Sequence, residues 1–248
     1  MKIRSFIIAY ALVLAILLFA DRRPAAHPDR YSHVVDLTDG QSASPHNATE
    51  SAVKEFASRE STTESQTRII APAALIPGTW SAGQIPAERL IAPLVVMDLK
   101  AADTAVNGNP QISLDDISAW ESQHGMIPQG AVVAIRRANS GAAWPRSDLS
   151  TNFSASTSSL LPITRDAAMF LIEARNTIGF AVETPVTLSS DRKSDRNLAQ
   201  QLALHGNYVV QGAAHFSSLP AAGSLVIVAP AKDKKAGNAR VRVLAMVR

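Results

Sequence analysis

The side chains of this sequence that could carry metal or acid–base chemistry are histidines and carboxylates. The chain has 248 residues and no cysteine, which excludes disulfide bonds, thiolate nucleophiles and every zinc site that uses sulfur. No two histidines have the i, i+4 helix spacing or the His-x-His strand spacing that directs two imidazoles at one metal ion. The six histidines available as ligands or proton shuttles are His27, His33, His46, His124, His205 and His215.

Other catalytic patterns are also absent from the sequence. It contains neither a Gly-x-Ser-x-Gly nucleophile motif nor a glycine-rich phosphate loop. The adjacent carboxylates Asp115 and Asp116 fall in the first turn of a predicted helix and diverge by about 100°, so capping of the helix explains them better than a catalytic pair. His124 and His205 precede glycines at predicted helix ends, a position that favours a structural role. Residue types and spacing alone therefore indicate no catalytic constellation.

The charge of the chain argues against a nucleic-acid partner. The formal net charge is +3 and the sequence pI is about 9.4, but residues 1–20 contain Lys2, Arg4 and no acid. The rest of the chain has 22 basic and 21 acidic side chains. A nearly neutral body of this kind does not predict a phosphate-binding surface.

The N-terminus has the pattern of an export signal. Lys2 and Arg4 precede the apolar run FIIAYALVLAILLFA, residues 6–20. This run is shorter than the roughly 20 residues that span a bilayer, which favours a signal peptide. Leu18 is a poor residue for cleavage after Ala20, so an uncleaved N-terminal anchor is the alternative. We expect a signal peptide or anchor over 1–20, a linker over 21–31 and one domain over 32–248. We also expect a periplasmic or secreted protein, or one attached to the membrane only through residues 6–20.

The body of the chain alternates predicted strands with predicted helices. Ser113, Thr164 and Ser194 are predicted N-caps of three helices, which end near Gly125, Gly179 and Gly206. This mixture predicts one α/β domain with a mixed sheet. Seven apolar or alternating runs predict strands: 32–37, 94–99, 131–137, 180–184, 208–211, 224–228 and 240–247.

Several stretches together resemble the cyclase family of metal-dependent hydrolases, which includes kynurenine formamidases and isatin hydrolase. The resemblance runs from residue 32 to residue 247 and implies the swivelling β/β/α fold, usually in homodimers or higher oligomers. The stretches that carry it are VVDLT (34–38), IPAERLIAPLVVMDL (85–99), ISLDDISAWESQHGMIPQGAVVAIRR (112–137), RDAAMFLIEARNTIGFAVET (165–184), LALHGNYVVQG (202–212) and LPAAGSLVIVAPAKDKKAGNARVRVLAM (219–246).

The resemblance also implies where an active site belongs. The family's signature, His-x-Gly-Thr-His-x-Asp-x-Pro-x-His, supplies ligands for zinc or manganese and a proton-transfer histidine, and a helix His and a strand Glu follow. Here the signature reads ESQTRIIAPAA over residues 64–74, with the register set by Thr67, Ala71 and Pro72. Asp39 follows DLT where many relatives have His. The six functional positions hold Glu64, Arg68, Ile70, Ala74, Ala199 and Gln211.

These residues predict that the metal chemistry is lost and that no cofactor is bound. Arg68 places a permanent positive charge where a divalent cation would sit. One hypothesis is a pseudoenzyme that binds a small ligand or a protein partner in the former pocket. Arg68 and Gln211 could hold a carbonyl or carboxylate group there, with Trp80 as an aromatic wall. Arg68 could instead form an ion pair with Glu64. The second hypothesis is an amide hydrolase of the formamidase type with a relocated site that uses His205 or His215, which flank Gln211.

Overall fold

Seven strands of this protein close into a barrel. The computed structural model describes residues 31–39, 67–99, 111–137, 161–186 and 193–248, together with the backbone of 105–106 and 109–110. The strands are β1 (His33–Asp36), β2 (Arg68–Ile70), β3 (Ile91–Leu99), β4 (Ala105–Val106), β5 (Asn109–Pro110), β6 (Val132–Arg137), β7 (Gly179–Val182), β8 (Tyr208–Gln211), β9 (Ser224–Pro230) and β10 (Asn238–Val247).

The main sheet mixes parallel and antiparallel pairs. Its order is β1-β10-β2-β8-β7-β6-β3-β9, and β9 also pairs with β10, which closes the ring. Strands β3, β6, β7 and β8 run parallel, whereas the other pairs are antiparallel. Strand β1 pairs with the end of β10 beyond β2, and β4 and β5 form a separate ribbon. The predicted α/β class and mixed sheet are confirmed.

In the described part of the chain, four α-helices accompany the barrel: α1 (Pro72–Leu75), α2 (Leu114–His124), α3 (Arg165–Ala174) and α4 (Lys193–Leu204). None of the described helices is long and apolar enough to cross a membrane. The predicted leader over residues 1–20 and most of the predicted linker lie outside the described residues. Residues Tyr31–Arg248 form one compact unit.

Helix α2 begins as its sequence predicts. The Ser113 hydroxyl accepts a hydrogen bond from the Asp116 amide at 3.2 Å, and the Asp116 carboxylate accepts one from the Ser113 amide at 2.9 Å. This capping box satisfies two N–H groups that the helix leaves unpaired. Gly125 follows the helix with a φ of 85°. The interpretation of Asp116 as a capping residue is therefore confirmed.

Two other helix boundaries differ from prediction. Helix α3 ends at Ala174 because Asn176 adopts a left-handed φ of 49° and the Thr177 amide bonds back to the Leu171 carbonyl. Gly179, the predicted stop, is instead the first residue of β7. Helix α4 begins at Lys193, so Ser194 lies inside the helix and is not its cap.

The strand pattern separates two apolar layers. One face of each barrel strand points inward and forms an inner cluster, represented by Val96, Val132 and Val243. The opposite face of β2, β3, β6, β7 and β8 packs under the helices in an outer cluster, represented by Ile70 and Phe180. The helices therefore cover that side of the barrel and build the surroundings of any site at Ile70.

An ion pair between α2 and the end of α3 offers a test of this packing. Glu121 accepts hydrogen bonds from Arg175 at 2.7 and 2.8 Å and from the Ile127 amide at 2.9 Å. The bond from Arg175 lowers the pKa of Glu121 below its ordinary value, and the bond from Ile127 lowers it further, against burial. A carboxylate with a lowered pKa stabilises the fold above its unfolded pKa of about 4.3 and stops doing so as the pH falls through its folded value.

We expect Glu121→Gln to lower the free energy of unfolding by about 2 kcal/mol at pH 7. Urea denaturation followed by tryptophan fluorescence measures this loss, which should disappear near pH 3. Asp36→Asn is the matched control, because the Asp36–Arg242 pair is exposed (69% for Arg242, 46% for Asp36) and should contribute less than about 0.5 kcal/mol. Equal losses in the two variants would contradict the prediction.

Candidate functional site

Strand pairing brings Arg68 and Gln211 side by side. Arg68 opposes Gln211 in the antiparallel β2–β8 pair, and it opposes Arg240 in the β10–β2 pair. Directly opposed residues project from the same face with Cβ atoms about 5 Å apart. Arg240, Arg68 and Gln211 therefore form one row across three strands on the outer face of the barrel.

The guanidinium of Arg68 is held by Asn238. Its Nε donates to the Asn238 side-chain oxygen at 2.7 Å, and its Nη2 donates to the Asn238 carbonyl at 3.3 Å. Burial lowers the pKa of Arg68, and the charge of Arg240 lowers it further, but a guanidinium stays protonated at neutral pH. Within the described residues, Asn238 accepts two of the five N–H groups of Arg68. The other three have no hydrogen-bond partner among the described residues.

Gln211 is oriented by the backbone that follows β7. Its side-chain oxygen accepts a hydrogen bond from the Val186 amide at 2.9 Å, and only 7% of the residue is exposed. Because the oxygen has this partner, the N–H₂ group is the part of this amide that could meet a ligand. Arg68 and Gln211 thus both offer donors.

Hydrogen bonds of Thr67 connect this row to the end of β1. Its hydroxyl donates to the Gly212 carbonyl at 2.7 Å and accepts from the Asp39 amide at 2.6 Å. The Thr67 side chain is almost fully buried. This single hydroxyl therefore links the segments that enter β2, leave β8 and leave β1.

The remaining positions of the family signature lie in the outer apolar cluster. Ile70 is 1% exposed in that cluster, and Ala74 and Ala199 pack against it. Helices α1 and α4, which carry the two alanines, contact each other. None of these three side chains has an atom that can bind a metal or carry a proton.

The described residues do not fit a divalent metal at this position. Among them, no group of three or more His, Asp or Glu side chains could hold a metal ion. The side chains of the row offer hydrogen-bond donors, and such groups repel a cation. Glu64 lies outside the described residues, and so does the predicted ion pair from it to Arg68.

Trp80 lies apart from Arg68 and Gln211. The Arg89 guanidinium carbon is 5.6 Å from the centre of the Trp80 ring. A Cβ built on Gly206 would come within 2.8 Å of the same ring. Gly206 precedes β8, whereas Gln211 is its last residue, and three strand steps span about 10 Å. The structure therefore places the predicted aromatic wall beyond the opposite end of β8.

The two histidines of the relocated-site hypothesis also separate. His205 is exposed after α4, and its carbonyl accepts from Arg89 at 3.4 Å at the Trp80 end of β8. His215 is exposed beyond Gln211 and has a left-handed φ of 63°. Of the other histidines, His124 stacks near Trp120 at a centroid distance of 4.9 Å, and His33 hydrogen-bonds to Ser32. His27 and His46 lie outside the described residues.

Asn238, which holds Arg68, and Arg240, which opposes it, are residues around Arg68 that the sequence did not reveal. Asn238 begins the last strand, and its bond to Arg68 joins residues 170 positions apart. No local pattern marks this contact, because it depends on the register between β10 and β2. The only available signal was the alternation of Arg240 and Arg242 with valines, which places both arginines on one face of β10.

Comparisons with known protein sequences and with solved structures lead to the same group of proteins. Residues 23–187 match the family model described as "Putative cyclase". The isatin hydrolase of Roseibium aggregatum is 26% identical over 171 residues, which cover 64% of this chain and 61% of that protein. The chain thus spans less than two thirds of the length of that curated relative.

Solved structures agree with this match. Isatin hydrolase A from Labrenzia aggregata, bound to benzyl benzoate, is 31% identical with a TM-score of 0.55 and covers 73% of this chain and 72% of its own. Isatin hydrolase A from Ralstonia solanacearum is 28% identical with a TM-score of 0.60 and covers 74% of this chain and 72% of its own. With a family model matched over most of its length, this chain belongs to the cyclase family, a group of hydrolase-type proteins.

Proposed function

We propose that this protein is a metal-independent member of the cyclase family that binds a small ligand through a carboxylate or carbonyl oxygen. The observation that carries the proposal is the pair of donors on adjacent strands, Arg68 and Gln211. Asn238 holds the first, and the Val186 amide occupies the oxygen of the second. A site that presents only N–H groups is complementary to an anion or a carbonyl oxygen.

Electrostatics favours this reading over a metal centre. A divalent cation about 5 Å from a guanidinium would be repelled by roughly 7 kcal/mol at an effective dielectric constant of 20. Arg240, the second neighbour of Arg68, adds positive charge. Ile70 and Ala199 supply no carboxylate or imidazole to offset the repulsion.

The relatives suggest the class of ligand. Isatin hydrolases are named for a cyclic amide, and hydrolysis of such an amide releases a carboxylate. A guanidinium binds a carboxylate through two parallel hydrogen bonds. We therefore propose an aromatic carboxylate of this kind, or its carbonyl precursor, as the ligand.

The proposal includes an exported protein. The apolar run over residues 6–20, preceded by Lys2 and Arg4, supports export to the periplasm or outside the cell, or attachment to the membrane. Retention of residues 1–20 in the mature protein can be measured by intact mass. A cytoplasmic protein of full length would contradict this part of the proposal.

Calorimetric titration of the full chain with isatin and with its ring-opened carboxylate tests the ligand. We expect saturable binding of the carboxylate that is unchanged by EDTA, with no zinc or manganese in the purified protein. Stoichiometric metal in the protein, or binding that a chelator abolishes, would overturn the proposal.

A second candidate function is amide hydrolysis, which family membership and the isatin hydrolase relatives favour. Turnover of isatin or N-formylkynurenine with added manganese or zinc, abolished by EDTA, would establish it. We expect no turnover above the rate of buffer alone, because Arg68, Ile70 and Ala199 occupy positions where the family signature has metal ligands.

Trp80 provides a prediction about the extent of the site. Trp80→Ala is expected to lower the free energy of unfolding by about 2 kcal/mol, because the ring packs against Gly206 and Arg89. Affinity for the carboxylate should change less than about twofold. Urea denaturation and calorimetry measure the two effects, and Trp80→Phe should restore part of the stability. A tenfold loss of affinity without a loss of stability would place Trp80 in the ligand site.

A further inference from the structure

Arg240 places a second guanidinium beside Arg68. The two residues are directly opposed in the β10–β2 pair, so their side chains leave neighbouring strands about 5 Å apart. The residues on either side of Arg240, Ala239 and Val241, belong to the inner cluster, so Arg240 projects from the outer face of the barrel. Arg240 is exposed to solvent there. A ligand held by Arg68 would therefore have a second cationic group next to it.

Neither of these two arginines is bonded to a carboxylate in the described part of the chain. The Arg68 guanidinium donates to Asn238, a neutral amide. The Arg240 side chain has neither a hydrogen bond nor an ion pair among the described residues. Arg242, two positions further along the same face of β10, differs because its Nη2 is 3.0 Å from the Asp36 carboxylate. Positive charge without a described counter-ion is therefore found at Arg68 and Arg240.

The repulsion between the two guanidiniums is a property of the ligand-free protein. Like charges directly opposite each other on neighbouring strands are destabilising. Burial lowers the pKa of Arg68 and the charge of Arg240 lowers it further, but both groups stay protonated at neutral pH. A ligand with one carboxylate leaves one guanidinium without a counter-ion, whereas a ligand with two carboxylates neutralises both. The pair therefore favours a dianion over a monoanion.

We propose that Arg240 binds a second acidic group, so that the ligand of this site is an aromatic dicarboxylate. This inference rests on the proposed function, because Arg68 holds the first carboxylate. Neighbouring strands lie about 5 Å apart, so the two carboxylates should have a similar separation. Isophthalate is a suitable probe, because carboxylates at positions 1 and 3 of a benzene ring have about the separation of two adjacent strands.

Calorimetric titration of the full chain with isophthalate and with 3-carbamoylbenzoate tests the role of Arg240. The second compound has the same shape, but an uncharged amide replaces one carboxylate. We expect isophthalate to bind at least about 10-fold more tightly, because a guanidinium pairs with a carboxylate through opposite charge and two hydrogen bonds, whereas the amide offers one neutral oxygen.

Arg240→Met should reduce this ratio of affinities to about twofold or less, because the charge that selects the second carboxylate is removed. Arg242→Met is the matched control, because it removes another exposed arginine from the same face of β10. In that variant the ratio should stay near the wild-type value. Circular dichroism should show that both variants are folded.

The outcomes separate this role of Arg240 from the proposed function itself. Binding of the ring-opened carboxylate of isatin, without a preference for isophthalate over 3-carbamoylbenzoate, would overturn the role of Arg240 and leave the proposed function intact. A preference that Arg242→Met lowers as much as Arg240→Met would also overturn it, because the selection would then come from the general charge of the sheet. If none of the three compounds binds, or if Arg68→Met leaves their affinities unchanged, the proposed function fails as well.

Discussion

Arg68→Met is expected to lower the affinity for the ring-opened carboxylate by about 30-fold or more. Removing one member of a hydrogen-bonded charge pair costs about 2 kcal/mol or more. Methionine keeps the apolar stem of arginine and removes every donor at the guanidinium position. Gln211 would then be the remaining donor of the Arg68–Gln211 pair, and a single neutral amide binds an anion weakly.

Calorimetry of the wild type and the variant measures this loss. Arg242→Met is the matched control, because Arg242 lies on the same strand as Arg240, is 69% exposed and pairs with Asp36. It removes one positive charge from the same sheet, and affinity should change less than about threefold. Equal losses in the two variants would indicate nonspecific attraction to a basic surface rather than a site at Arg68.

The alternative structural role of Arg68 makes a different prediction. If Arg68 serves an internal ion pair with Glu64, then Glu64→Gln and Arg68→Met should each destabilise the protein to a similar extent. Neither should then affect carboxylate binding. Urea denaturation of both variants, beside the titrations, separates the two roles.

Ile70→Asp is expected to lower the free energy of unfolding by about 4 kcal/mol at pH 7, enough to unfold a marginally stable protein. The substitution introduces the residue that the family signature has at this position. In this protein the side chain lies 1% exposed among apolar residues, so the carboxylate would lose its hydration without gaining partners. Burial raises the pKa of such a group above its unfolded value of about 4, so the loss should shrink as the pH falls through the raised value and should stop changing below about 4.

Thermal and urea unfolding measure this effect, and metal analysis accompanies them. Ile70→Val is the matched control and should cost about 1 kcal/mol, because it removes one methylene group from the same place. An Ile70→Asp variant as stable as the wild type that binds zinc would show that the metal position persists. That result would overturn the proposal of a metal-independent protein.

Local patterns predicted most of the secondary structure. The capping box of Ser113 and Asp116 lies within four residues, and its geometry follows from those residues alone. The seven predicted strands all appear, because alternating or continuous apolar runs are local properties. Strand β2 was missed, since Arg68–Ile70 is too short to show a period before Pro72 ends it. It exists because β10 and β8 pair with its two edges.

The candidate site was likewise predicted in part. The alignment with the family signature placed Arg68 and Gln211 in one site, and the β2–β8 register brings them together. The orientation of the Gln211 amide was not predictable, because it depends on a bond from Val186, 25 residues away. The position of Trp80 was not predictable either, since it follows from contacts with Arg89 and Gly206 at the far end of β8.

By itself, the sequence determined the chemical types available at the site: an arginine, a glutamine, aliphatic side chains and no cysteine. It also determined the existence of the three longer helices and of seven strands, because these depend on neighbours within a few positions. Only the tertiary structure decided which groups these residues offer. Barrel closure sets the register of β10, β2 and β8, and that register brings Asn238 to Arg68 across 170 residues. Within the described residues, the groups of Arg68 and Gln211 left without a partner are donors, which is a property of the assembled strands rather than of any segment.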